Sequence, residues 1–208
     1  VLLEEVQALT NRVVLLNSDN EELALDMFLP NNTGGARNAI QYLLQKGHTD
    51  ILCVACFLRT TLKRRHDSYR ATLEAAGIPY NPDLVLRIES SLKLEIAYEH
   101  MQAFLADPHP NFTAVFCTND GTALGVMRAL QEIGLRVPQD ISVIGFDDIN
   151  FAAFMNPPLT TIRIERAELG KLAVQRLLER AEKPALVPIR VETYCRLIER
   201  QSVAEISM

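Results

Sequence analysis

The chain has 208 residues, 48% of them hydrophobic, with 21 basic against 26 acidic side chains and a net charge of -5. That is enough apolar material for one or two globular domains, while the acidic balance without a long basic run lacks the electrostatic footprint of a nucleic-acid surface. No apolar stretch approaches the roughly 20 residues that cross a bilayer, and no charged-then-apolar leader opens the chain, so no association with a membrane is expected.

After a helix-like opening segment, the residue pattern predicts a strand over 13–16. The next segment, 33–46, places Ala36, Ala39, Ile40, Leu43 and Leu44 on one helical face and stops at Gly47, a C-terminal cap signal. Further strands are expected over 51–55, 84–88, 113–117 and 142–145. Helices over 65–76, 92–106, 121–133 and 166–181 complete the pattern, closed by Gly77, Asp107-Pro108, Gly134 and Lys183-Pro184. Strands alternating with amphipathic helices predict parallel βαβ units. No linker rich in Gly, Ser or Pro and no internal repeat divides the chain.

Cys53-x-x-Cys56 has the spacing of a redox or metal pair. In a strand, however, residues three apart point to opposite faces, so these thiols, like Cys117 and Cys195, are read as packing groups of a reducing cytoplasm. His48, His66, His100 and His109 are scattered, and neither a metal-ligand spacing nor a nucleophile motif nor a phosphate-cradling glycine loop accompanies them. No metal, no cofactor and no catalytic residue is therefore expected.

The β-branched run 141–144 breaks at Gly145 and ends on Asp147 and Asp148, which puts carboxylates at the carboxyl end of a buried strand, where open α/β sheets bind ligands. Asp147 is either a ligand acceptor or a turn residue, and Asp148, pointing the other way, is read as the capping group. Arg65 opens a predicted helix amid Arg59, Lys63, Arg64 and Arg70. Cations there oppose the helix dipole, so an anionic partner is expected for Arg65, whose planar fork suits carboxylate, phosphate or vicinal hydroxyls. Asn119 and Asp120 lie between a strand and a helix, so one of them is an N-cap.

These residues, together with Gly47-His48, Arg65-x-x-x-Tyr69, Thr113-Ala-Val-Phe-Cys-Thr-Asn-Asp120, Ala123-Leu-Gly125, Gly145-Phe-Asp-Asp148, Pro158-Leu-Thr-Thr161 and Leu197-Ile-Glu-Arg-Gln-Ser202, occur in an order that resembles the lactose-repressor/galactose-repressor (LacI/GalR) family. Ser68 departs from the glycine usual in that family. The resemblance implies a periplasmic binding protein-like type I fold: two doubly wound parallel-sheet α/β subdomains joined by three crossovers, near 28–30, 163–165 and 186–188. Residues 1–28 and 164–188 would form an incomplete first subdomain, and 29–163 with 189–208 the second. A DNA-binding helix-turn-helix, a hinge and about three strand-helix units would precede the chain.

The family's effector contacts fall on Arg65, Asp147 and Asn119, with Arg59 as a further contact and Asn17 as the matching strand end of the first subdomain. Phe116, Phe151, Ile164 and Arg166 would shape pocket specificity, and Arg166 with Arg65 and Arg59 suggests an anionic effector such as a sugar phosphate or sugar acid. Leu124, Phe154 and Met155 match dimer-interface positions. The function implied is effector binding and dimerisation for a cytoplasmic repressor that meets operator DNA through its helix-turn-helix. A periplasmic sugar-binding protein of a transport system is the alternative, and an enzyme using Asp147, Asp148 and His66 as acid and base is a third reading.

Overall fold

In a computed structural model of the chain, the structure describes residues 13–20, 22–89 and 93–206. The helix-like opening segment and residue 92, the expected start of a helix, lie outside them. Nine strands are assigned among the described residues, in two sheets. The smaller is β1 (Val14–Leu16), β2 (Asp26–Pro30) and β8 (Arg190–Thr193), in the order β1-β2-β8 and parallel throughout. The larger runs β4-β3-β5-β6-β7-β9, from β3 (Ile51–Cys56), β4 (Val85–Ile88), β5 (Ala114–Cys117), β6 (Ser142–Asp147), β7 (Thr160–Arg163) and β9 (Arg196–Ile198). Only β9 is antiparallel to its neighbour within it.

Helices cover both faces of the larger sheet, as alternating strands and amphipathic helices require. On one face α1 (Asn32–Gln45) and α2 (Thr60–Ala75) bury Ala39, Ile40, Leu43, Tyr69 and Leu73 against Ile51, Cys53, Ala55 and Phe116. On the other, α3 (Leu94–Ala106) and α4 (Asp120–Glu132) bury Met101, Val126 and Leu130 against Leu52, Val54 and Cys56. Cys53 and Cys56 thus lie in different cores, as the strand period predicts, and all four thiols are free and buried. Gly47 takes φ 88° behind α1 and donates to Leu44 O at 3.0 Å, the expected helix stop.

The smaller sheet is packed by α5 (Arg166–Glu182), whose Leu169 and Ala173 bury Phe28. Its register is pinned by Asp26, fully buried, which pairs with Arg176 at 3.1 Å and with Arg180, and accepts the Ile189 N–H at 2.7 Å.

Four strands, β2, β7, β8 and β9, are absent from the elements expected from the sequence. β2 carries Asp at one end and Pro at the other, so neither alternation nor a long β-branched run announces it. The chain leaves the smaller sheet after Pro30, returns to it after Arg163, and leaves it again after Thr193. The third crossover therefore falls not near 186–188 but at 194–195, because 190–193 pairs with β2. Likewise Leu29 and Pro30 lie in the smaller sheet rather than in the second subdomain.

Candidate functional site

The turn after β6 holds two aspartates in left-handed backbone conformations, Asp147 at φ 112° and Asp148 at φ 50°. Such conformations in non-glycine residues cost on the order of 1–3 kcal/mol each and persist only where surrounding contacts over-determine them. Those contacts are cationic. Arg65 Nη1 donates to Asp147 Oδ1 at 2.9 Å and to Thr118 O at 2.7 Å, and its Nε donates to Asn32 Oδ1 at 2.8 Å. The guanidinium carbon lies 3.7 Å from the Phe146 ring centroid. The Arg65 side chain is 2% exposed, whereas that of Asp147 keeps 24%. Burial pushes the Asp147 carboxyl up from its ordinary value, against the pull of Arg65.

Asp148 is an ion-pair centre rather than a cap: it accepts from Arg163 Nε at 2.6 Å and from Arg200 Nη2 at 2.7 Å. Burial works to raise its carboxyl, but these two hydrogen bonds prevail and hold it below the usual range. Arg166, at the first position of α5, spends its fork on the turn's own backbone, donating to Asp147 O and Asp148 O at 2.7 Å each. Its charge was expected to face an effector; two carbonyls of the strained turn take it instead.

Asn119 caps α4, accepting from Thr122 N at 2.8 Å and donating to Thr122 Oγ1 at 2.9 Å. Asp120 is fully buried, accepting from Thr161 Oγ1 at 2.6 Å and from Ile149 N at 2.8 Å, so it clamps the far side of the same turn. Burial pushes its carboxyl up to about 7, with Asp147 and Asp148 adding to the rise. Gly145 makes room for it: a Cβ there would stand 2.3 Å from Asp120 Oδ1.

Arg65 does not open its helix, because α2 begins at Thr60 and Arg59 is the N-cap residue, without a side-chain cap bond. The buried cation is compensated by Asp147 within the chain. Asn17 ends β1 at φ 51°, with its N–H on Phe28 O at 2.9 Å and its buried Oδ1 without a partner among the described residues. Residues 16–20 of the smaller sheet and 58–61 of the larger line a cleft of about 450 Å³, which brings Asn17 and Arg59 together from opposite subdomains.

Three expected pocket or interface residues stand elsewhere. Phe116 is fully buried in mid-strand, its ring stacked on Tyr69 at 6.3 Å, and Ile164 belongs to the same core. Met155 is 8% exposed and packs into the opposite core, while Phe151 at 72% and Phe154 at 84% form the exposed apolar pair. The short 3-10 helix Asn150–Phe154 eclipses side chains three apart, which puts both rings on one side. Leu124 is partly buried against the core. His66 contacts Tyr80 and Asp67 rather than the aspartates of the turn. Sequence reasoning missed Asn32, which positions Arg65, and Asp19, which pairs with Arg64 and Arg190. The segment 197–202 that carries Arg200 was recognised, but not the pairing of Arg200 with Asp148.

Comparison with known proteins agrees with this fold. The family model described as a periplasmic binding protein-like domain matches residues 40–203. The HTH-type transcriptional repressor PurR of Pasteurella multocida is 41% identical over 180 residues, 86% of this chain and 53% of the relative. The ribose operon repressor of Escherichia coli K12 is 40% identical over 179 residues, 85% of this chain and 53% of the relative. A crystal structure of a LacI family transcriptional regulator from Enterococcus faecium with bound ribose superposes with a TM-score of 0.83 at 28% identity, covering 93% of this chain and 71% of that one. One from Enterococcus faecalis, also with bound ribose, gives a TM-score of 0.84 at 26% identity, covering 98% and 73%.

The fold is that of a two-subdomain binding domain, and the chain belongs to the periplasmic binding protein-like domain family. Within that family its relatives are LacI-type transcriptional regulators. The chain spans about half the length of the curated relatives it matches.

Proposed function

We propose that the chain is the effector-binding and dimerisation part of a cytoplasmic LacI/GalR-type repressor, which meets operator DNA through a helix-turn-helix elsewhere in a longer protein. The observation that carries this reading is the Arg65–Asp147 pair, set in a strained turn at the end of β6. Asp147 supplies the acceptor for ligand hydroxyl or amine groups, Arg65 pairs with it, and Arg59 and Asn17 face the ligand from the two sides of the cleft. The relatives named above are transcriptional repressors, which favours regulation over transport and binding over catalysis.

The three-arginine case for an anionic effector is reduced to one residue. Arg65 is paired and Arg166 is committed to backbone carbonyls, so the pull on an anion rests on Arg59. We therefore favour a small neutral polyhydroxylated effector; two of the structural relatives hold ribose. The exposed Phe151 and Phe154 serve the dimer.

Thermal unfolding with sugars, sugar phosphates, sugar acids and nucleobases tests both points. A ligand that stabilises the parent by about 2.7 kcal/mol at a hundred times its Kd, but not Asp147→Ala, is the expected result. Stabilisation by anionic ligands alone would restore the anionic reading, and a ligand equally effective on Asp147→Ala would remove the turn from the site.

A further inference from the structure

The loop between β1 and β2 carries Asp19, and α2 of the other subdomain carries Arg64; the two are an ion pair. Asp19 is also held within its own subdomain, where Arg190 of β8 places Nη1 at 2.6 Å and Nη2 at 3.3 Å from its two oxygens. The Asp19 side chain is 1% exposed, while Arg64 and Arg190 each keep 34%.

Other polar contacts between the subdomains cluster where the chain crosses. Asn31 N donates to Thr193 O at 2.9 Å, Asn32 Nδ2 donates to Pro30 O at 3.1 Å, and Arg166 bonds the Asp147 and Asp148 carbonyls at the start of α5. Contacts beside a hinge survive rotation about it, whereas a contact at the open side of a cleft is broken by it. Asp19–Arg64 is of the second kind: Asp19 is among the residues 16–20 that line one wall, and Arg64 lies one helical turn beyond Thr60 and Thr61 of the other.

We infer that Asp19, Arg190 and Arg64 form an ionic latch that holds the two subdomains closed over the cleft. Arg190 keeps the carboxylate compensated whether the latch is shut or open, so opening strands no buried charge, and the balance between the two states responds to salt. A ligand that fills the cleft adds its differential affinity to the closed state. That consequence for sensing rests on the proposed effector site; the latch itself does not.

The test needs no ligand. Because the four native cysteines are buried, spin labels attach selectively at Lys171→Cys on α5 and Glu74→Cys on α2, both exposed positions. In the full chain the distance distribution between the labels is expected to be short and narrow at low salt. A longer population should appear with Arg64→Gln, with Asp19→Asn and with added sodium chloride. The exchanged pair Asp19→Arg with Arg64→Asp leaves Arg190 facing a cation and should not restore closure, whereas Arg64→Lys should. If Asp19→Asn fails to fold, Arg64→Gln on the helix surface and the salt series decide. An unchanged distribution in these two overturns the latch, as does a change with Arg64→Gln that salt does not reproduce. Failure of every effector to bind, with the distance still responding, would sink the proposed function and leave the latch standing.

Discussion

Arg65 and Asp147, 82 positions apart in the chain, meet at 2.9 Å where α2 passes the end of β6. The cation has almost no contact with water and the anion keeps some, so the pair is asymmetric: the arginine depends on the aspartate more than the reverse.

Asp147→Ala is therefore expected to destabilise the fold as well as to abolish effector binding. Removing one partner of a buried pair costs on the order of 3–5 kcal/mol, and the remaining bonds from Arg65 to Asn32 and Thr118 bring the expected loss to the lower end, about 3 kcal/mol. Urea unfolding measures it. Asp147→Asn, which keeps an acceptor but not the charge, should lose less, and equal loss in the two variants would show that the neutral acceptor contributes nothing and that charge compensation is the whole effect.

Asp120 makes stability depend on pH. Burial raises its carboxyl from 3.8 to about 7, and Asp147 and Asp148 add to the rise. A carboxyl raised in the folded state contributes stability that is full below the unfolded value and is lost as pH rises through the folded one. Asp120→Asn does not titrate, so its melting temperature relative to the parent should increase between pH 5 and pH 8. A constant difference across that range would show that Asp120 does not titrate there.

Gly145→Ala should displace the Asp120 carboxylate, because the new Cβ would stand 2.3 Å from Oδ1 and 2.9 Å from Leu159 Cδ2. A cost of about 1–3 kcal/mol is typical of overpacking, and loss of the clamp on Thr161 and Ile149 should place it at the upper end. Combined with Asp120→Ala, the substitution should cost less than the sum of the two, which a double-mutant cycle in urea would measure.

Phe154→Asp should leave the monomer folded and shift sedimentation from dimer to monomer, since the ring is 84% exposed in the single chain. Met155→Ala should do the opposite. Its side chain packs in the core, so about 2–4 kcal/mol of stability should go while association is retained. A Phe154→Asp protein that still sediments as a dimer would move the interface elsewhere.

The residues themselves determined a good deal. Short apolar runs announced the parallel strands β3, β5 and β6, the 3.6 period announced the buried face of α1, Gly47 marked a helix stop, and the strand period separated Cys53 from Cys56. All of these are local, set by neighbours within four residues. The ordered motifs around Arg65 and Asp147 also announced the family.

Only the tertiary structure decided which cation compensates which anion. Arg166 turned to carbonyls, Asp148 to Arg163 and Arg200, and Met155 inward while Phe151 and Phe154 stayed out. The short strands β2 and β8 are likewise held in place by the long-range contacts of Asp26 with Arg176, Arg180 and the Ile189 amide. Such choices depend on contacts between distant residues that form only when the chain packs, when burial makes an unpaired charge costly and forces each one to a partner.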